Sequence, residues 1–209
     1  MSAASEKTIL IANYGIGNLG SIVNMLKKVG GKTEICADPA RIAAADKLVL
    51  PGVGAFDHGM RGLQASGLRD SLEEAVLRRG VPVLGVCLGM QLMLEASEEG
   101  LMQGLGWIAG HATRFPSGAG CPRVPHMGWN GVRPVRDNSL LPQGQAAQRF
   151  YFVHSYKVEC ADPQDVLAVT EYGQEFCSAF VRGNIYGVQF HPEKSHAYGM
   201  AMFKRFLEL

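Results

Sequence analysis

The sequence predicts a three-layer α/β fold, with a mostly parallel central sheet, helices on both faces and an antiparallel β extension. Two observations carry this expectation. In the first half of the 209 residues, short apolar runs alternate with segments of helical periodicity, the mark of βαβ construction. Beyond about residue 105 the rhythm changes to β-rich segments separated by turns, which suits an antiparallel extension. The length is that of one domain over residues 1–209, long enough to enclose a core without metal or disulfide staples.

Each element follows from local pattern. "KTILIANYG" reads as a buried strand, and after a glycine turn Leu19, Ile22, Val23, Leu26 and Val29 recur at helical spacing. "ADPARIAAAD" predicts a short helix with Asp38 as N-cap and Pro39 at its first position. "KLVLPGVG" is a strand and loop. Leu68, Leu72, Ala75 and Val76 mark a helix ending at "RRG", where basic side chains and then glycine suit a C-terminus. "VPVLGVC" is the next strand, and "MQLMLEAS" opens the helix behind it. Further on, "GWIAGHATRF", "RFYFVHSYKVE", "DVLAVTEY", "EFCSAFVR" and "NIYGVQF" read as strands, with reversals at Gly173 and Gly183. The tail "HAYGMAMFKRFLEL" is expected to close the fold as a helix, with Ala197, Met200, Ala201 and Phe206 on one face.

Composition excludes several classes of function. Lys+Arg 20 against Asp+Glu 19 leaves a formal charge of +1, so no polyanion-binding surface is implied and nucleic acid is not an expected partner. No signal pattern or long apolar span precedes the fold, and no membrane association is expected. Five cysteines without a CxxC pair fit a reducing compartment, the cytoplasm. Residues 1–7 read as a frayed polar lead-in.

The chemistry concentrates in a few stretches. "GVCLG" joins a strand to a helix through G-x-C-x-G, the thiol version of a nucleophile elbow, whose turn is too tight for side chains beside the nucleophile. Gly85 and Gly89 remove those collisions, and Cys87 comes to the strand's carboxyl edge at a helix N-terminus, which favours thiolate. An inert core cysteine is the bland alternative. In "GVQFHPEKS", His191 ends a strand and Pro192 keeps the chain extended, so Glu193 can reach the imidazole and fix its tautomer. A strand-ending turn with a solvated glutamate is the alternative for that segment taken alone. His58, His111, His126 and His196 have no partnered acid in view, and His154 lies on a strand. No Cys/His cluster has metal-ligand spacing, and neither metal nor cofactor is expected.

Acyl chemistry also needs donors for a developing oxyanion. The N–H of Leu88 is one, and the "PGVG" loop at 51–54 can aim a second inward. "GIGNLG" at 15–20 matches G-x-G-x-x-G, but Asp38, near the distance a dinucleotide site requires and with Glu34 close by, is better explained as a helix cap.

"PGVGAF", "GVCLGMQL" and "GVQFHPEKS", in this order, resemble the class I glutamine amidotransferases. More narrowly, "NYGIGNLGSI", "VPHMGWN", "FYFVHSY" and "HPEKSHAYGM" are similar to the glutaminase subunits of imidazole glycerol phosphate synthases of histidine biosynthesis. Asn13 stands where that family's first motif has aspartate, and Gly20 where a larger polar residue is common. The resemblance implies a flavodoxin-like fold and a Cys87–His191–Glu193 triad that hydrolyses glutamine to glutamate and ammonia. It implies oxyanion donors at Leu88 and Val53, and substrate contacts at Gly52, Gln91, Glu99, Ser155 and Tyr156.

With nothing after the closing helix to serve as an acceptor domain, the resemblance also implies a separate cyclase subunit. That partner is expected to be a (β/α)8 barrel that makes imidazole glycerol phosphate and AICAR, bound as a heterodimer through Asn18, Trp129, Tyr151 and Lys194. Two alternatives stay open. One is a glutaminase serving pyridoxal phosphate or anthranilate synthesis, and the other is an elbow-cysteine hydrolase without amidotransferase activity.

Overall fold

The computed structural model describes residues 8–144 and 148–209. The predicted lead-in at 1–7 therefore lies outside the described residues. Strand β1 (Ile9–Ala12) leads into helix α1 (Leu19–Lys28), whose Ile22 and Leu26 are buried, with Leu19, Val23 and Val29 packed beside them as their spacing predicts. A short strand β2 (Thr33–Cys36) follows. Pattern reading misses it, because at the sheet edge only Cys36 of its four residues is buried and no alternation shows.

Helix α2 (Pro39–Ala43) starts as predicted, the Asp38 carboxylate accepting from the amides of Ala40 and Arg41. β3 (Lys47–Leu50) is buried throughout, and the PGVG loop after it opens α3 (Phe56–Ala65), a helix that the sequence reading omits. α4 (Leu68–Glu73) continues into a π-turn over Glu74–Arg78 and stops where Gly80 takes a φ of 68°. Leu68, Leu72, Ala75 and Val76 are buried together, as expected.

β4 (Val83–Val86) runs into α5 (Leu88–Leu92), which is much shorter than "MQLMLEAS" suggests. A two-residue strand β5 (Ala96–Ser97) replaces the rest of that predicted helix and pairs with β6 (Gly110–Arg114). The long strand β7 (His126–Pro134) was not marked by periodicity. The run "RFYFVHSYKVE" is two strands, β8 (Gln148–His154) and β9 (Tyr156–Cys160), divided at Ser155. The division is tertiary in origin, since β8 pairs with β7 while β9 pairs with β6 and β11. β10 (Val166–Glu171), β11 (Glu175–Arg182) and β12 (Ile185–Val188) reverse at Gly173 and Gly183 as predicted, and both glycines take a positive φ.

Helix α6 (His196–Glu208) closes the fold, but its inward face is Gly199, Met202, Phe203 and Phe206. The expected face was wrong in all but Phe206, because Ala197 and Ala201 are exposed and Met200 only half-buried. Residues 197 and 206 are nine apart, half a turn out of phase at 3.6 residues per turn. Two phenylalanines and a methionine buried from one helix contribute on the order of 2 kcal/mol each, which decides its orientation.

The parallel strands run β2-β1-β3-β4-β12, the flavodoxin-like order, and the antiparallel path continues β11-β10-β7-β8. Alternation along the strands divides the core in two. Leu10, Leu48 and Val83 face α3, α4 and α5, while Ile9, Ile11, Leu84 and Val86 face α1 and α6. Helices thus cover both faces, as a mostly parallel sheet requires. Among the described residues no helix is long and apolar enough to cross a membrane.

Candidate active site

One pairing creates the site. β12 lies beside β4 in parallel register, Val188 opposite Val86, so both strands deliver their next residues to the same carboxyl edge. The Cys87 amide donates to the Val188 carbonyl at 2.8 Å, locking the two strand ends together. The chain after Val188 then carries Gln189 and His191 past the sulfur.

Cys87 has φ 54° and ψ −111°, a left-handed conformation that costs a non-glycine residue on the order of 1–3 kcal/mol. The elbow holds it there by close approach. A Cβ on Gly89 would lie 1.9 Å from the Leu50 carbonyl oxygen, and one on Gly85 would lie 2.8 Å from the Gly89 carbonyl oxygen. The sulfur-bearing residue is only 8% exposed, so the turn presents it to a cavity rather than to open solvent. The Leu88 N–H heads α5 and has no intrahelical acceptor.

His191 is anchored by its backbone. Its amide donates to the Tyr151 carbonyl at 2.8 Å, and its carbonyl accepts from Ser195 Oγ at 2.6 Å. Its Nδ1 lies 2.7 Å from Glu193 Oε1, both side chains being almost wholly buried. Burial works against a charged imidazole, yet the nearby Cys87 sulfur and the Glu193 carboxylate outweigh it and raise the pKa to about 9. His191 Nε2 is buried and, among the described residues, makes no hydrogen bond of normal geometry.

A cavity of about 480 Å³ opens over these groups, with Cys87, Leu88 and His191 in its wall. Gln91, Glu99, Ser155 and Tyr156 line it, and so do Val53 and Lys194. Of the residues expected to contact substrate, Gly52 does not reach the wall. It packs under the elbow, where a Cβ would sit 2.8 Å from the Gly89 nitrogen, so it is needed for space. Gly54 instead takes a φ of 98° with open space around it, the one left-handed position in the PGVG loop. Glu99 has a second attachment, its Oε2 accepting from the Phe56 amide at 2.9 Å and so capping α3.

The wall is backed by a polar network that the sequence did not reveal. Gln91 Nε2 donates to the Tyr156 carbonyl at 3.2 Å and to Gln189 Oε1 at 2.9 Å. His154 Nδ1 lies 2.7 Å from the same carbonyl, and its Nε2 lies 2.9 Å from His126 Nδ1. Burial lowers the pKa of His126 to about 4 and that of His154 to about 3, so both are neutral. Only contact information exposes this pair, because the two histidines are 28 residues apart.

Outside the cavity, the Trp129 ring stacks on His196 with centroids 5.6 Å apart, and Lys194 Nζ lies 5.7 Å from the Tyr151 ring centre. Trp129 is 41% exposed and Met127 61%, which makes this an apolar patch beside the cavity mouth. Asn18 is exposed at the start of α1, which packs against the turn that carries Lys194. A larger depression of about 650 Å³, lined by Arg133, Thr170 and Glu175 among others, shares no residue with the cysteine cavity and holds no nucleophile–base pair.

A parallel sheet with a cysteine on a strand-to-helix elbow at its carboxyl edge defines an α/β enzyme of the elbow-nucleophile class. Comparison narrows this. The family described as glutamine amidotransferase class-I matches residues 10–209. The imidazole glycerol phosphate synthase subunit HisH 2 of Pseudomonas aeruginosa is 49% identical, the match covering 96% of this chain and 99% of that one. The HisH subunit of Bdellovibrio bacteriovorus is 44% identical over 96% of this chain and 100% of its own. Among solved structures, a chain of PurLQS from Thermotoga maritima superposes with a TM-score of 0.71 at 18% identity, over 97% of this chain and 98% of the other, a likeness of fold. The chain belongs to the class-I glutamine amidotransferase family, with HisH subunits among its relatives.

Proposed function

We propose that this chain is the glutaminase subunit of an imidazole glycerol phosphate synthase in histidine biosynthesis, hydrolysing glutamine and passing the ammonia to a separate cyclase subunit. The observation that carries the proposal is the β4–β12 register, which brings the Cys87 thiol and the His191 imidazole to one cavity wall. The 49% identity to a HisH subunit over nearly the whole of both chains supports the pathway.

In this reading the Cys87 thiolate adds to the carboxamide carbon of glutamine, and the oxygen of the tetrahedral adduct takes the negative charge. The Leu88 N–H donates a hydrogen bond to that oxyanion, and the Val53 N–H is the second donor once the PGVG loop turns about Gly54. Collapse of the adduct expels the nitrogen, which takes a proton from His191 and leaves as ammonia. With its pKa raised to about 9, His191 holds that proton at neutral pH. The now neutral imidazole removes a proton from water as water adds to the thioester. Glutamate leaves, and the thiolate and imidazolium are restored. Glu193 keeps Nδ1 protonated throughout, leaving Nε2 for these transfers. Gln91, Glu99, Ser155 and Tyr156 hold the amino-acid end of the substrate.

Ammonia released into neutral water is captured as ammonium, so the product is useful only if a partner encloses the cavity mouth. The partner is a (β/α)8-barrel cyclase that docks on the patch of Trp129, Tyr151 and Lys194, with Asn18 at its border. The test is glutamate release from glutamine, measured with and without the barrel partner charged with its nucleotide ligand. Stimulation by the charged partner is expected, together with a loss of about 10³-fold or more in Cys87→Ala. Activity indifferent to the partner would instead favour a glutaminase of another pathway, and none under any condition a hydrolase outside the amidotransferases. Trp129→Ala and Lys194→Ala are expected to weaken the complex about tenfold each, as anchors in an interface do. Unchanged affinity in both would remove the patch from the interface.

A further inference from the structure

The hydrogen bonds around the sulfur have a direction that can be read from one end. The Tyr156 carbonyl can only accept, so the Gln91 side-chain atom 3.2 Å from it is the amide nitrogen. That nitrogen also lies 2.9 Å from the Gln189 side chain, whose facing atom must then be its oxygen. The Gln189 amide nitrogen is left facing Cys87, 3.8 Å from Sγ. An amide's orientation is ambiguous in isolation and is set here by its partners. The anchoring carbonyl is itself held by His154 Nδ1 at 2.7 Å, so the chain of donors has a fixed end.

The sulfur meets opposite chemistry on its other side. The Cys87 thiol donates to the Val153 carbonyl at 4.0 Å, a contact that suits the neutral thiol and opposes a negative charge on sulfur. An N–H donor has the reverse effect and favours the charged form. Gln189 is wholly buried, so water does not compete for its amide. It also stands two residues before His191, on the segment that delivers the imidazole.

We infer that Gln189 is a positioning residue for the nucleophile. Its amide N–H, aimed by Gln91, supports the charged sulfur against the Val153 carbonyl and holds it toward His191. This deepens the glutaminase reading and rests on it, since that chemistry needs a thiolate. The motif "GVQFHPE" then carries three functions at alternate positions: Gln189 for the sulfur, His191 for the proton and Glu193 for the imidazole.

The experiment is the alkylation of Cys87 by iodoacetamide across pH, read at the peptide by mass spectrometry so that exposed Cys121 does not interfere. In Gln189→Met, which keeps bulk but has no donor, the pH of half-maximal alkylation is expected to rise by about half to one unit, a three- to tenfold slowing at neutral pH. Gln189→Glu is expected to move it further, because a carboxylate then faces the sulfur. kcat for glutamine is expected to fall by a similar factor, with KM held within about twofold.

A folded Gln189→Met protein with the wild-type alkylation midpoint and kcat overturns the inference. Should that variant fail to fold, the wild-type chain labelled with 15N decides. One glutamine side-chain amide should shift with the alkylation midpoint and stand still in Cys87→Ala, and the absence of any such amide overturns the inference equally. The alkylation profile reads the sulfur whether or not glutamine is turned over. Absent glutamate release with a shifted profile would therefore count against the glutaminase reading and leave Gln189 in place.

Discussion

Glu193 Oε1 stands 2.7 Å from His191 Nδ1, with side-chain exposures of 3% and 2%. Two residues apart and separated by Pro192, they are the most buried ion-pairing groups of the site. A carboxylate in this position orients the ring and supports its charge, so its removal is expected to act on the proton-transfer steps more than on binding. Glu193→Gln should lower kcat for glutamine by about 10²-fold or more while KM changes little. A kcat within about threefold of wild type would show that the carboxylate does not set the imidazole's state.

The His191 imidazole, charged beside the Cys87 sulfur and the Glu193 carboxylate, leaves a signature in stability. The pKa of His191 is raised from 6.5 to about 9, so the folded state holds a proton that the unfolded chain gives up. The stabilisation is fully present below about pH 6.5 and is lost as pH rises through 9. The urea midpoint of the wild-type chain is expected to fall between pH 6.5 and 9.5, and that of Glu193→Gln to fall less.

His126 and His154 predict the opposite slope. Their pKa values are lowered to about 4 and about 3, so on acidification the unfolded chain takes up protons that the folded chain refuses. Stability is fully present above about pH 6.5 and is lost as pH falls toward 4. Replacing the outer ring in His126→Phe, which keeps the stacking on Phe152 and Tyr172, should flatten the acid limb measured by urea unfolding at pH 5 and pH 7. An unchanged limb would assign the acid sensitivity to other groups.

Two glycines make a matched control for the elbow. Gly89→Ala is expected to abolish glutamine hydrolysis and lower the melting temperature, because its Cβ would sit 1.9 Å from backbone that cannot move without breaking β3. Gly20 lies in α1 with nothing within 4 Å of its Cβ position, so Gly20→Ala should stabilise by about 0.4–1 kcal/mol. Calorimetry on both checks the pair, and a neutral Gly89→Ala would mean that the elbow relaxes.

Glu99 separates capping from substrate binding. Its Oε2 accepts from the first amide of α3, and its side chain lines the cavity. Glu99→Gln keeps an acceptor for Phe56 but loses the charge. Stability is expected to fall by less than about 1 kcal/mol, while KM for glutamine rises about tenfold. A loss confined to stability would leave Glu99 a cap alone.

Much was already legible in the linear order of residues, because it depends on neighbours along the chain. The elbow at Cys87 needs glycines two positions before and after, and His191 and Glu193 are only two residues apart, so both are visible within nine residues of sequence, although the pair closes through a 3-10 turn over Pro192–Lys194 and not along the extended chain expected there. The Asp38 cap and the turns at Gly173 and Gly183 are local in the same sense. Partnership between distant segments was not legible. The split of one apolar run at Ser155, the inward face of α6 and the place of Gly52 under the elbow depend on which strand or backbone lies opposite. So do the His126–His154 pair and the seat of Gln189 against the sulfur, since a buried amide finds its donor and acceptor only when strands about a hundred residues apart come into register. Local sterics therefore set the cysteine elbow and the histidine–glutamate pair, whereas the parallel pairing of β4 with β12 decided that they line one cavity.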